Sequence, residues 1–421
     1  MAWLEKLHNP GRFIRSFLQW SVVGILMGLI GGLIGAGFHH ALHFVTHIRA
    51  EHTWLVLLLP VGGLITVAIY RVFQLKKNRG TNEIIDSVLK GERLNPLIAP
   101  VIFLATATTH LFGGSAGREG AALQLGGSTA SLLADLFKLS KSNRKVLVMA
   151  GMSAVFAGLF GTPLTATLFC MEFASVGTLF SPALLPCYVS AFTASRVSAA
   201  LGVHAEGYLL DSMALLTVGN AWKYVILAIA VSLLGVFMCW AFHKAEHLAA
   251  HHIPNPWLRI TLGGAVIAVL TLLVGDHRFN GAGMDLALEA VAGHADWYSF
   301  GMKLLFTAVT LGAGFKGGEI VPTFCIGATF GCVFGGLLGL DPGICGALGL
   351  VGLFCCATNS PFASMVLSIE MFSGTNVHLF ALMCVICFVL SGHTGLYSSQ
   401  IIQYDKATNV HDLPESGEAG V

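Results

Sequence analysis

Apolar runs recur along the whole chain, at about 18–38, 54–73, 97–112, 146–171, 183–200, 222–242, 259–274, 302–314, 320–340, 344–356, 361–372 and 378–391. A helix needs roughly 20 such residues to cross a bilayer. Several runs reach that length, whereas others are shorter or interrupted by Gly or Pro. The pattern predicts helices throughout, some of them stopping part-way, which a membrane tolerates where the exposed backbone lines a cavity. Between the runs, Gly80-Thr81-Asn82-Glu83 leads into the amphipathic stretch Ile84-Ile85-Asp86-Ser87-Val88-Leu89, a short helix with a polar start.

Composition narrows the class. Hydrophobic residues make up 55 % of the 421 and charged residues 11 %, against about 25 % charged in soluble domains. The chain therefore reads as a multi-pass integral membrane protein of the cell inner (plasma) membrane. The net charge of +1 points to no polyanionic partner, and nucleic acid is not expected. No cleavable signal peptide is evident in the amphipathic, basic start. Lys6, Arg12 and Arg15 predict a cytoplasmic N-terminus. The clusters Arg71-Lys76-Lys77-Arg79 and Lys138-Lys141-Arg144-Lys145 predict further cytoplasmic loops. The polar tail carries Asp405, Asp412, Glu415 and Glu418 and is also expected in the cytoplasm.

Ten cysteines lie mainly within the apolar runs, and only Cys384 and Cys387 form a CxxC pair. Inside a helix that pair is weak evidence for redox or metal chemistry, so the cysteines read as small buried hydrophobes.

An internal repeat organises the chain. Gly151 to Glu172 aligns without a gap with Gly349 to Glu370, matching Phe156 to Phe354 and Pro163 to Pro361, at an offset of 198 residues. At that offset Gly114, Arg118 and Gly120 fall on Gly312, Lys316 and Gly318. His39, His43 and His47 resemble His243, His247 and His251 at an offset of 204. Each triplet occupies one helix face. The triplets suit a metal site or, more simply, an inherited polar helix end, and no metal or cofactor is expected. The reading divides the chain into a cytoplasmic segment 1–16, a first transmembrane repeat 17–200, a connection 201–218, a second repeat 219–402 and a tail 403–421. Duplicated membrane halves with broken helices are typical of transporters, with the substrate site at the repeat interface. Whether the halves are inverted depends on an odd number of spans in each.

Charges inside the apolar runs mark the candidate chemistry. The stretch Gly113-Gly114-Ser115-Ala116-Gly117-Arg118-Glu119-Gly120 sets a carboxylate among glycines at membrane depth, a costly placement and by default a functional one. Helix N-termini offer free amides and partial positive charge to anions. Three segments predict such termini: Gly80, Thr81 and Asn82; Gly117, Arg118 and Gly120; and Gly318, Ile320 and Val321, with Pro322 suited to a first turn.

These motifs resemble the CLC family of anion channels and anion/proton antiporters. The resemblance is carried by GREG at 117–120 with GG at 126–127, GGEIVP at 317–322, the P-x8-E spacing at 163–172 and 361–370, and Tyr397. It implies an all-α, CLC-type fold of two related repeats, expected to be inverted, with broken helices. It also implies a homodimer in the lipid bilayer, each subunit having its own anion pathway. Glu119 would be the gating glutamate, occupying an anion site when charged and carrying the proton when neutral. Capping its own helix or pairing with Arg118 is the structural alternative.

The departures are informative. Chloride-type members read GSGIP where this chain reads Arg79-Gly80-Thr81-Asn82-Glu83, so the usual anion-binding serine is absent. Ala121 replaces the proline after GREG, and Glu172 is followed by Phe173, so the usual internal proton acceptor is missing. GGxFxP has become GGEIVP, which brings in Glu319. These changes resemble the fluoride/proton antiporter branch, in which Glu319 would handle protons from the cytoplasm and Tyr397 would line the inner gate. Glu319 as a helix-dipole charge and Tyr397 as an interfacial aromatic are the plainer readings. Arg118 and Lys316 would attract anions or anchor loops, and Glu172 and Glu370 would serve helix ends. The expected function is export of fluoride in exchange for protons. A chloride/proton antiporter or passive chloride channel is the alternative on the same fold. No enzymatic activity is expected; a His-dependent membrane enzyme would require both histidine triplets to converge on one metal.

Overall fold

Among the described residues sixteen α-helices follow one another, with only two two-residue strands between them. The structure, a computed structural model, describes residues 10–75, 79–204, 207, 208, 210, 213, 214 and 216–407. Most of the amphipathic start, Lys76 and Lys77, parts of the 201–218 connection, and Asp412, Glu415 and Glu418 lie outside them.

The helices form two matching series. The first is α1 (Pro10–Glu51), α2 (Leu59–Val72), α3 (Thr81–Lys90), α4 (Ile98–Leu111), α5 (Glu119–Leu136), α6 (Lys141–Phe160), α7 (Pro163–Glu172) and α8 (Leu184–Ala200). The second is α9 (Val218–His252), α10 (Pro256–Val274), α11 (Met284–Val291), α12 (Ser299–Ala313), α13 (Ile320–Leu337), α14 (Pro342–Thr358), α15 (Pro361–Met371) and α16 (Val377–Leu390). Among the described residues five segments are long and apolar enough to cross a membrane: Gly11–Glu51, Thr53–Val72, Val218–His252, Pro256–Val274 and Ile320–Leu337.

Local sequence explains the breaks. The apolar run at 146–171 splits where Gly161, in the left-handed region (φ 73°), ends α6 and Pro163 opens α7. Asn359 (φ 56°) and Pro361 repeat the device between α14 and α15. Ser140 and Asp341 cap α6 and α14 by accepting from Asn143 N and Ile344 N. Strands β1 (Ser175–Val176) and β2 (Ile401–Ile402) pair in parallel and tie the end of the second half to the first.

Small residues let the broken helices approach closely. A Cβ on Gly126 would collide with the carbonyl of Gly151, and one on Gly327 with that of Gly349. These two crossings are equivalent, yet Gly126 and Gly327 differ by 201 in number while Gly151 and Gly349 differ by 198. The difference is absorbed in α14, which has 17 residues where α6 has 20.

The register at the repeat junction is therefore 201, which corrects the expectation from sequence. Gly117 N donates to Gly318 O at 2.7 Å and Gly318 N to Gly117 O at 2.9 Å. Ser115 N donates to Thr310 Oγ1 at 3.1 Å, and Lys316 N to Thr109 Oγ1 at 3.3 Å. These reciprocal pairs are what a two-fold relation between the halves requires. Lys316 thus corresponds to Ser115, and Arg118 to Glu319.

Glu172 and Glu370 do serve helix ends, and they serve each other's repeat. Glu172 accepts from Phe362 N and Ala363 N at the start of α15 (3.2 and 2.9 Å). Glu370 accepts from Leu164 N, Thr165 N and Thr165 Oγ1 at the start of α7 (2.8, 2.8 and 2.6 Å). Each carboxylate satisfies orphan amides at a positive helix end. All ten cysteines are buried free thiols.

A candidate anion and proton pathway

Two cavities flank the repeat junction and share no lining residue. The cavity on the Arg79 side, labelled inner, is lined by Arg79, Gly80, Thr81, Asn82, Glu319 and Tyr397, among others. The outer one is lined by His39, His43, His47, Arg118 and Val321, among others, and by Arg49 near the end of α1. Glu319 and Val321, two residues apart at the start of α13, line the inner and the outer cavity respectively, so the two approach each other at the repeat junction.

Glu119 lines neither cavity and is wholly buried between them. Its Oε2 accepts from Arg118 N at 2.7 Å, and its Oε1 accepts from Val321 N at 3.0 Å. The first amide opens α5 and the second lies in the first turn of α13. One carboxylate is thus held by two helix N-termini from opposite halves, in a setting that suits any small anion. Gly117 and Gly318 make this possible. A Cβ at either position would fall inside van der Waals contact with the Glu119 carboxylate.

The guanidinium of Arg118 points elsewhere. It lies 5.0 Å from the Phe160 ring centroid and 3.3 Å from His39 Nδ1. Arg118 and Glu319 are the equivalent N-cap residues of α5 and α13. The two-fold scaffold therefore presents a cation to the outer cavity and a carboxylate to the inner one.

The inner cavity gathers residues from distant parts of the chain. Gly80, with φ 62°, turns the chain into α3 and brings Thr81 to the start of α5. There Thr81 Oγ1 lies 3.2 Å from where a Gly120 Cβ would sit. Asn82 Oδ1 accepts from Ser399 N at 3.0 Å, which ties the start of α3 to the segment after Tyr397. The Tyr397 ring meets Phe173 edge-on at 6.0 Å, and its buried hydroxyl has no hydrogen-bond partner among the described residues. Ile320 is buried beside Val321 at the start of α13.

Three further polar residues stand beside this pathway without an assignment from sequence. Gln124 lines the inner cavity, donates to Gly120 O at 3.2 Å, and leaves Oε1 without a partner among the described residues. Glu246 lines the same cavity. Lys303 is fully buried and donates to Ser115 Oγ, Phe279 O and Gly281 O at 2.9, 3.2 and 2.7 Å. It ties the loop before Glu119 to the second half. A lone Gln or Lys in an apolar run was the available signal.

The histidine triplets do not converge. His39, His43 and His47 line the outer cavity, whereas of the second triplet only His243 reaches a cavity, the inner one. Among the described residues no group of three or more His, Cys, Asp or Glu is arranged to hold a metal ion.

Comparison with known proteins agrees with this architecture. A model of the voltage gated chloride channel family matches residues 62–392. A chloride/fluoride channel protein of Pseudomonas syringae pv. tomato is 35 % identical over 405 residues, covering 94 % of this chain and 89 % of the relative. The crystal structure of a CLC-type fluoride/proton antiporter superposes with a TM-score of 0.88 at 30 % identity, covering 91 % of this chain and 98 % of that one. A slow cyanobacterial Cl−/H+ antiporter shares the fold, with a TM-score of 0.75 at 22 % identity over 88 % of this chain and 94 % of its own.

Proposed function

We propose, for a chain that belongs to the voltage-gated chloride channel (CLC) family, that it is an antiporter exporting fluoride in exchange for protons, with Glu119 as the shared gate. The observation that carries this reading is the Glu119 carboxylate, bound by amides of two helix N-termini between two separate cavities. Charged, the carboxylate occupies the place an anion would take. Protonated, it has little hold on those amides and leaves them to fluoride, a small and strongly hydrogen-bonding ion.

The inner cavity faces the cytoplasm in this reading, as the positive-inside rule requires of Arg79, Lys138, Lys141, Arg144 and Lys145. Both termini are then cytoplasmic. Fluoride enters past Gly80, Thr81 and Asn82, with Tyr397 at the inner gate. Gly117, Arg118, Gly120, Gly318, Ile320 and Val321 form the anion cradle. Glu319 sits two residues before the Val321 amide that holds Glu119, and it passes the incoming proton to the cytoplasm. Two like carboxylates near one site couple their protonation. The repeats 17–200 and 219–402 act as inverted halves around this junction. The protein works as a homodimer in this reading, each copy with its own pathway.

Fluoride rather than chloride is supported by Glu319 in GGEIVP and by the name of the solved structure at 30 % identity, a fluoride/proton antiporter, while the relative at 35 % identity is named for both ions. Export also has a physical rationale. Fluoride enters cells as neutral HF and is trapped on ionisation, so an inward proton gradient is a suitable driving force. The test is anion efflux from proteoliposomes loaded with fluoride or chloride, with proton movement recorded in parallel. Fluoride efflux with counter-moving protons is expected, and chloride efflux at an equal rate would return the reading to chloride/proton exchange.

A further inference from the structure

A third cavity, of about 190 Å3, lies where the end of α2 meets the start of α10. The two helices run antiparallel, with Gly63 against Ile260 and Gly264 against Pro60. Arg71, Arg259 and Lys316 all line the cavity, and no carboxylate does so among the described residues. Arg71 stacks over Trp257 at 5.2 Å and Lys316 over Tyr70 at 5.0 Å. Arg259 Nε donates to Ala313 O at 3.4 Å.

Both helices are largely open to their surroundings. Val61, Ile65 and Val72 of α2 and Leu262, Val266 and Val269 of α10 are 40–74 % exposed. Trp and Tyr mark the headgroup level of a membrane protein. Guanidinium forks match phosphate oxygens, and basic pockets between helices at the cytoplasmic face collect anionic lipids. Three cations around a cavity that no carboxylate lines among the described residues, set at the end of an apolar wall, call for an anion with a hydrocarbon tail.

We propose that this cavity binds the headgroup phosphate of an anionic phospholipid whose acyl chains lie along α2 and α10. The assignment of the lipid to the cytoplasmic leaflet rests on the orientation proposed above; the binding does not depend on the transported ion. Lys316 lines both this cavity and the inner one that contains Glu319 and Glu246. A phosphate bound here competes with those carboxylates for the Lys316 charge, so the lipid bears on the inner end of the pathway.

The test is native mass spectrometry of the full chain in detergent, titrated with phosphatidylglycerol or phosphatidylcholine. Wild type should retain phosphatidylglycerol preferentially. The double variant Arg71→Gln with Arg259→Gln should lose that retention by about tenfold or more, given the worth of a single basic residue at an anionic surface. Arg71→Lys with Arg259→Lys should keep most of it, which controls for folding. Inorganic phosphate should neither bind measurably nor displace the lipid. Equal retention by wild type and the Gln variant, or binding of phosphate alone in place of the lipid, would overturn the proposal. Absence of fluoride flux in every vesicle composition would count against the transport reading and leave this one intact.

Discussion

At the scale of single residues, the site depends on two glycines and one acid. Gly117 and Gly318 leave the volume that the Glu119 carboxylate fills. Gly318→Ala should push the carboxylate off the Val321 amide; a misplacement of this kind costs about 10²-fold in rate, to be read as initial fluoride efflux. Glu119→Gln should abolish proton coupling, because an amide carries neither the charge nor the proton. Glu319→Gln should also lose coupled proton uptake while fluoride still crosses, and unimpaired coupling would remove Glu319 from the route. Glu119 and its flanking glycines stand out in the sequence because charge is rare in apolar runs. Gln124, Glu246 and Lys303 are polar residues outside any such motif, a weaker signal. Helix α5 is buried on nearly every face, so hydrophobic periodicity gives no indication of which side meets a cavity.

At the scale of elements, the helix boundaries are largely legible because Gly, Asn and Pro mark them. Gly161-Thr162-Pro163 breaks an apolar run whose length alone indicates one helix, and Asn359-Ser360-Pro361 separates the equivalent pair in the second half. The short helix α11 (Met284–Val291) follows Asn280-Gly281-Ala282-Gly283, yet it lies outside the apolar runs, which do not predict it. Sequence similarity gives the wrong repeat register at the site because it is strongest across α6–α7 and α14–α15. The three residues missing from α14 are invisible there. The corrected register pairs Arg118 with Glu319 and turns an apparent like-charge repeat into an opposite-charge one. The crossed carboxylates give a prediction about stability. Glu172→Leu leaves the buried Ala363 amide without its acceptor, at a cost of about 1–3 kcal/mol. Thermal unfolding in detergent should show a lowered midpoint, with Glu172→Gln less affected. An unchanged midpoint for Glu172→Leu would deny the crossed carboxylates a structural role.

At the scale of the whole molecule, a nearly symmetric scaffold holds an asymmetric pathway. The two halves exchange the same hydrogen bonds at their junction. Yet the outer cavity carries Arg49, Arg118, Arg278, Asp285 and three histidines of α1, whereas the inner one sets Glu246 and Glu319 against Arg79 and Lys316. Duplication is legible from the matched Gly, Phe, Pro and Glu positions. The division of its charges between two cavities is not, since that depends on which way each half faces the junction. In the proposed mechanism one buried carboxylate, set between these cavities, exchanges fluoride for protons. The most direct test is to load proteoliposomes with fluoride and record fluoride efflux and internal pH together, for wild type and Glu119→Gln. Wild-type efflux should acidify the interior, and the Gln variant should move no protons. Fluoride efflux with no proton movement in wild type, or unchanged coupling in the variant, would contradict this mechanism.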